Sequence, residues 1–362
     1  MMKRYSEQML LALLRSALHQ REVEIAYFSK ASEEDWVKCF RLAVHQGVAA
    51  LTLGGIERLP SEYSPPLNVK LSWALAEQEK LEIYEAQCKA VNELTDLFEQ
   101  HGIGTVVLKG VGLSRLYPIP ARREGGDVDI YTYSSDKSKM SDDEANRLAD
   151  RIILDLGETM DDTPSEKHSK FTFKGVTFEN HRKFLHIDES DAVYAAEKWL
   201  QNNFESQTVE LLDGQCEIQV PSERFDTVFV SMHAAQHYGQ GLSLKHLCDW
   251  TVMLMNNDLL LPPDLDNEYF LSVVSALTQL CNRYLGISVP IKAGPDLSNE
   301  LMKEILYPPY FGKAEEGTLV KRKLFQLENR LHIFTLQHNL LGVSFIGKLR
   351  GLLIRKFNEW FR

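Results

Sequence analysis

The segment LKGVGLSRLYPIPARREGGDVDI, from Leu108 to Ile130, sets two strand-like edges around a turn region rich in glycine and proline. It enters from Thr105–Leu108, a short β-branched run of the kind that forms a buried strand. Gly110–Tyr117 follows as a short helical turn, stopped by Pro118 and Pro120. Asp127–Tyr133 then alternates polar and apolar residues, as a half-buried strand does. Asp127 and Asp129 are two apart, so they share one face of that strand, while Val128 and Ile130 supply the buried one. Two carboxylates held this close repel each other unless a cation lies between them. Hard oxygen ligands in that arrangement suit Mg²⁺.

A bare Asp-x-Asp also occurs on solvated strand edges, so the flanking residues carry weight. Gly125-Gly126 lets a ligand approach the backbone, and Arg122-Arg123 sets positive charge beside a phosphate path. Lys109-Gly110, between a strand end and a helix start, forms a sensible phosphate cradle, although an ordinary turn with a solvated lysine would look the same. A third acid is expected from a neighbouring strand. Glu179, after the apolar run from Val176, is the candidate; the alternative is a hairpin-end glutamate facing water.

Outward from this centre, residues 1–100 read as helices: Glu7–Leu18, Ser32–Gly47 with a serine cap and an acidic first turn, and Leu67–Gln100 as one or two helices. Residues 141–156 are helical, and Phe171–Phe173 and Val176–Phe178 form a hairpin around Lys174-Gly175. Asp191–Asn203 is a helix, two weak strands flank Asp213-Gly214, and the pattern from Ser222 onward is almost wholly helical. The expected fold class is α+β, a small mixed sheet flanked by helical regions. The expected division is 1–100, 101–220 and 221–362.

An apolar share of 44% and a charged share of 25% allow an ordinary packed core. The formal net charge of −11 argues against broad nucleic-acid binding, which needs a basic surface. Five scattered cysteines with no CxxC spacing predict reduced thiols in a cytoplasmic protein. The N-terminal stretch, interrupted by Glu7, Arg15 and His19, predicts an amphipathic helix and no signal peptide, and no apolar window is long enough to span a membrane.

Together these residues resemble the nucleotidyltransferase superfamily that shares the fold of DNA polymerase β, and more narrowly a bacterial family of uncharacterised nucleotidyltransferases. The resemblance rests on Leu108-Lys109-Gly110, Leu116-Tyr117-Pro118, Arg123 and Gly126-Asp127-Val128-Asp129-Ile130. It continues at His168, Phe171, Glu179 and His181, and resumes in His233–Asp249, covering roughly residues 80–255. One departure stands out. Lys109-Gly110 replaces the superfamily's Gly-Ser pair, with Val111 where a serine is usual.

The resemblance implies an NTP substrate, a hydroxyl-bearing acceptor and two Mg²⁺ ions, or Mn²⁺, held by Asp127, Asp129 and Glu179. One cation would activate the acceptor hydroxyl and the other would neutralise the triphosphate, with Glu179 also a candidate general base. Lys109, Gly110, Arg123, Gly126 and Lys245 would contact the nucleotide.

In the C-terminal half His233 and His237 lie at i, i+4 on one helical face. His181, His233, His237 and Asp249 are candidates for acceptor contact or for the domain interface; His233, His237 and Asp249 could also form a metal site of their own. Lys245 and Asp249 are expected to pair on the helix surface. Phe345–Arg362 forms a basic amphipathic pattern, expected to pack on its own domain in preference to a lipid surface. The competing functional readings are a histidine-rich metal hydrolase, and a binding protein that keeps the fold but senses nucleotides.

Overall fold

The computed structural model describes residues 5–161, 166–187, 190–238, 241–256, 259, 261–291, 297–307 and 319–344. The basic C-terminal segment 345–362 lies outside them. Helices α1 (Tyr5–His19), α2 (Glu33–His45), α3 (Ala49–Ile56) and α4 (Leu67–Glu99) lead into β1 (Ile103–Val107), the one-turn α5 (Val111–Ser114) and β2 (Val128–Ser134). Then come α6 (Asp142–Asp155), β3 (His168–Phe173), β4 (Val176–His181), α7 (Asp191–Asn202), β5 (Ser206–Leu211) and β6 (Cys216–Pro221). The chain continues through α8 (Glu223–Gln236), α9 (Leu244–Asn256), α10 (Glu268–Tyr284), α11 (Ser298–Leu306) and α12 (Leu319–Leu341). The expected α+β class holds.

Local chemistry explains the boundaries. Ser32 and Ser141 each close a capping box, with Asp35 and Glu144, so α2 and α6 begin where an orphan N–H finds its acceptor. Leu67–Glu99 is a single helix, not two. The sequence pattern gave no warning of α3, whose eight residues are all buried and so show no amphipathic period. Lys174 and Gly175 both have positive φ, the geometry a tight two-residue hairpin needs.

The main sheet runs β1-β2-β4-β3, with β5-β6 as a separate hairpin. Strand β2 is antiparallel to β1 and parallel to β4, so the sheet is mixed. Its two faces join different cores. Val107, Val128, Ile130, Phe171 and Phe178 pack with the second half of α4, α6 and the small hairpin. Val106, Leu108 and Tyr131 face the other way, into a core shared by α1–α3 and the C-terminal helices. Each large apolar side chain so buried contributes about 1.5–3 kcal/mol. Beneath the sheet, Asn146 Nδ2 and Thr132 Oγ1 both donate to Asn180 Oδ1, at 2.8 and 2.9 Å, and Asn180 donates to Asp150 Oδ1 at 3.0 Å. This buried network, with every named group satisfied, locks the register between β2 and β4. Among the described residues no helix is long and apolar enough to cross a membrane.

Candidate active site

Register places the acids. Asp129 is the direct partner of Glu179 across the β2–β4 ladder, and on β3 Lys170 pairs with Glu179 and His168 with His181. Side chains alternate along a strand, so these positions fall on one face of the sheet. Asp127 sits immediately before β2, on the same side, and is more exposed than Asp129, which is buried. The three expected acids thus stand together.

Each is met by a cation. Lys109 Nζ lies 2.8 Å from Asp129 Oδ1, and His181 Nε2 lies 2.9 Å from the same oxygen. Lys170 Nζ bridges Glu179 Oε1 at 3.3 Å and Asp127 Oδ2 at 3.8 Å. His168 Nε2 is 3.6 Å from Glu179 Oε1. Burial alone would raise the Asp129 carboxyl, but Lys109 and His181 reverse this and hold it far below the usual carboxylate range. Glu179 goes the other way: burial, then Asp129 and Asp127, push it up. Burial works against the Lys109 ammonium too, and Asp129 more than offsets it. Adjacent carboxylates driven in opposite directions are the usual mark of an acid–base site.

Gly110 makes the Lys109 contact reachable. Leu108 N–H donates to the Asp129 carbonyl at 2.9 Å, and the chain then reverses at Gly110 with φ 62 and ψ −116, a region that side chains other than hydrogen strongly avoid. Lys109 and Gly110, with Arg123, Gly125, Gly126, Asp127, Asp129, His233, Lys245, His246 and Asp249, line a cleft. A Cβ at Gly126 would meet nothing within 4 Å, so that glycine leaves open space toward the cleft.

Three expectations are corrected. Lys245 and Asp249 do not form a surface pair: Asp249 is buried, and its carboxylate takes a fork from Arg123, Nε at 3.1 Å and Nη2 at 2.9 Å, plus the Tyr117 hydroxyl at 2.7 Å. A fully buried guanidinium offers the carboxylate a planar two-donor fork that a lysine ammonium cannot match. Arg122 does not face a phosphate path: its guanidinium is held by Glu57 and Glu77. The histidine cluster has a different third member. His233 and His237, whose Nε2 atoms are 3.1 Å apart, are joined by His246, not Asp249, with one ligand nitrogen from each within 4.8 Å of the others.

Burial, with Lys109 and Lys167 nearby, drives His233 far down and His237 to about 4. Burial and His237 take His246 to about 3. Burial also lowers Lys245, with Arg123 adding to it, and takes Lys167 down to about 8. His181 is lowered mainly by burial, and Asp249 is held low by Arg123 against the effect of burial. The cleft is therefore lined by carboxylates, lysines and imidazoles that burial keeps from charging.

Lys170, His246 and Lys167 were not anticipated as site residues. For Lys170 a signal existed: starting β3 at His168 instead of Phe171 sets His168, Lys170 and Thr172 opposite the apolar Phe171 and Phe173. His246 depends on how α9 packs against α8, which no local pattern records.

Comparison with known proteins bears on this arrangement. The crystal structure of an antigenic nucleotidyltransferase-like protein from Paracoccidioides brasiliensis is similar at 15% identity and TM-score 0.35, covering 61% of this chain and 94% of that one. No curated protein matches the chain. The family model described as uncharacterised nucleotidyltransferase matches residues 32–288, a span that takes in the acids, the glycine turn and the histidine helices alike. The chain belongs to this family of uncharacterised nucleotidyltransferases.

Proposed function

We propose that this nucleotidyltransferase moves a nucleoside monophosphate from an NTP to a hydroxyl of a small molecule, sugar or protein, with release of pyrophosphate. The observation that carries this reading is the convergence of Asp127, Asp129 and Glu179 from paired parallel strands beside a glycine-lined cleft. The donor set fits a hard divalent cation, Mg²⁺ or Mn²⁺, because these acids stand together only under the positive charge of Lys109 and Lys170. Such a cation supplies Lewis-acid activation of a hydroxyl and neutralises phosphate charge.

The chain's own residues do the rest. Glu179, with its raised pKa, is the proton acceptor for the incoming hydroxyl. Lys109 and Lys245 provide positive charge for the triphosphate, and Arg123, fixed on Asp249, donates to the Glu124 carbonyl at 3.3 Å and so shapes the approach to Gly125-Gly126. In this reading residues 101–220 are the catalytic core, with helical flanks at 1–100 and 221–362, in a cytoplasmic protein whose five cysteines are buried free thiols.

One observation favours a second reading. The short Lys109–Asp129 pair neutralises the most buried acid with no cation added, which also suits a protein that binds nucleotide without turnover. Incubating the full chain with each NTP and Mg²⁺ or Mn²⁺, and measuring pyrophosphate, separates the two. Labelled NTP with a cell extract then identifies the acceptor. Nucleotide binding with no release over a broad acceptor panel would overturn the catalytic reading.

A further inference from the structure

We infer that His181 is a direct nitrogen ligand of the divalent cation held by Asp129, so that the site is mixed nitrogen and oxygen, and selects Mn²⁺ over Mg²⁺. This rests on the metal-dependent reading above and goes beyond its three carboxylates.

Three observations carry it. His181 Nδ1 lies 3.1 Å from the Lys183 carbonyl oxygen. A carbonyl only accepts, so Nδ1 carries a proton and donates it. Nε2 faces Asp129 Oδ1 and donates to that carboxylate; a cation between the two would displace this proton and leave Nε2 as the ring's ligand atom. A ring nitrogen anchored by a backbone carbonyl while the other faces a carboxylate is the arrangement that orients metal-binding histidines.

Second, the Nε2 to Oδ1 distance is 2.9 Å. Adjacent ligands on an octahedral cation with bonds of about 2.1 Å stand about 3 Å apart, so the two atoms are already spaced to share one ion. Glu179 Oε2, 3.9 Å from the same nitrogen, completes a set of three donor residues.

Third, the Lys109 ammonium sits 2.8 Å from that same Asp129 oxygen. A positive charge already stands against the oxygen that a cation would use. Entry of the cation therefore moves Lys109 away, toward the cleft it lines, where triphosphate oxygens would receive it. Hard Mg²⁺ holds to oxygen ligands in near-ideal octahedra, whereas Mn²⁺, a larger transition-metal ion, accepts nitrogen and oxygen together.

The test is pulsed electron paramagnetic resonance on the full chain loaded with Mn²⁺ and no nucleotide. The expected spectrum shows modulation from a directly bound ¹⁴N, replaced by the ¹⁵N pattern when the protein is grown on ¹⁵N-histidine. His181→Gln loses that coupling and weakens Mn²⁺ binding by roughly 10–100-fold; His168→Gln keeps the coupling. The isotope arm on the unaltered chain fixes the ligand as a histidine, and His233→Gln, which keeps the coupling, excludes the separate cluster of His233, His237 and His246. Bound Mn²⁺ without nitrogen coupling overturns the inference and leaves the carboxylate site standing, as does coupling that disappears only in His168→Gln. Failure to bind Mn²⁺ at all overturns both.

Discussion

Lys109 Nζ and Asp129 Oδ1 form a 2.8 Å ion pair in which the acid is almost wholly buried and the lysine mostly so. The pair has two consequences. It makes Asp129 a structural as well as a chemical residue, because a buried charge stripped of its partner is costly. It also means that the cleft carries its own cation, which must yield before a divalent ion can bind.

Asp127→Asn and Asp129→Asn therefore separate function from stability. Both are expected to lower pyrophosphate release by about two orders of magnitude or more. Asp127, more exposed, should leave the melting temperature within a few degrees of wild type. Asp129→Asn strands Lys109 and should cost about 3–5 kcal/mol in denaturant unfolding. Adding Lys109→Met to Asp129→Asn should return much of that stability and none of the activity. An Asp129→Asn protein of full stability would show that the ion pair is not what holds this part of the fold.

Titration should follow the two carboxyls in opposite senses. Asp129 is held below its ordinary 3.8, so its contribution to stability is present above that pH and is lost as pH falls beneath it. Glu179 is raised above 4.5 by burial and then by its two acidic neighbours, so ionising it costs the folded state as pH climbs past that value. A cation needs Glu179 deprotonated. Mn²⁺ affinity should therefore keep rising as pH climbs from 4.5 toward neutrality, with proton release visible in calorimetry across buffers of different ionisation enthalpy. Binding that is flat over this interval would remove Glu179 from the ligand set.

Arg123 and Asp249, both buried, are expected to behave as one unit. Arg123→Met alone leaves Asp249 unpaired against Tyr117 and should destabilise by about 3–5 kcal/mol, whereas the Arg123→Met/Asp249→Leu pair should recover most of it. Stability that recovers while nucleotide affinity does not would show that the guanidinium also contacts phosphate. Additive losses would refute the coupling.

Gly110→Ala should cost about 1–3 kcal/mol, because φ 62 with ψ −116 excludes a Cβ on backbone grounds although space exists around it. Relaxing that strain would move Lys109 off Asp129. Thermal unfolding and Mn²⁺ titration of the variant read the two effects separately, and an unchanged melting temperature would contradict the strain.

Removing Lys170, the half-exposed bridge between Asp127 and Glu179, should tighten cation binding, by about tenfold or less, since a competing charge leaves two ligands. Lys170→Met assayed by Mn²⁺ calorimetry checks this; weaker binding would mean that the lysine positions the acids.

The strands, the hairpin, most of the helices and the shared face of Asp127 and Asp129 were legible in the chain because each depends on spacing over a few residues. Glu179 was reachable as a candidate on the same terms, as the acid at the end of an apolar run. The helix Ala49–Ile56 was not legible, since a segment buried on all sides carries no period. Nor were the partners: that Asp129 faces Glu179 across a parallel ladder, that Lys170 bridges two acids, that His181 aims a ring nitrogen at Asp129, and that Arg123 takes Asp249 away from Lys245. Those pairings join residues far apart in the chain. They are settled by strand order, register and helix packing, where burial makes each charge seek a partner that no local pattern can name.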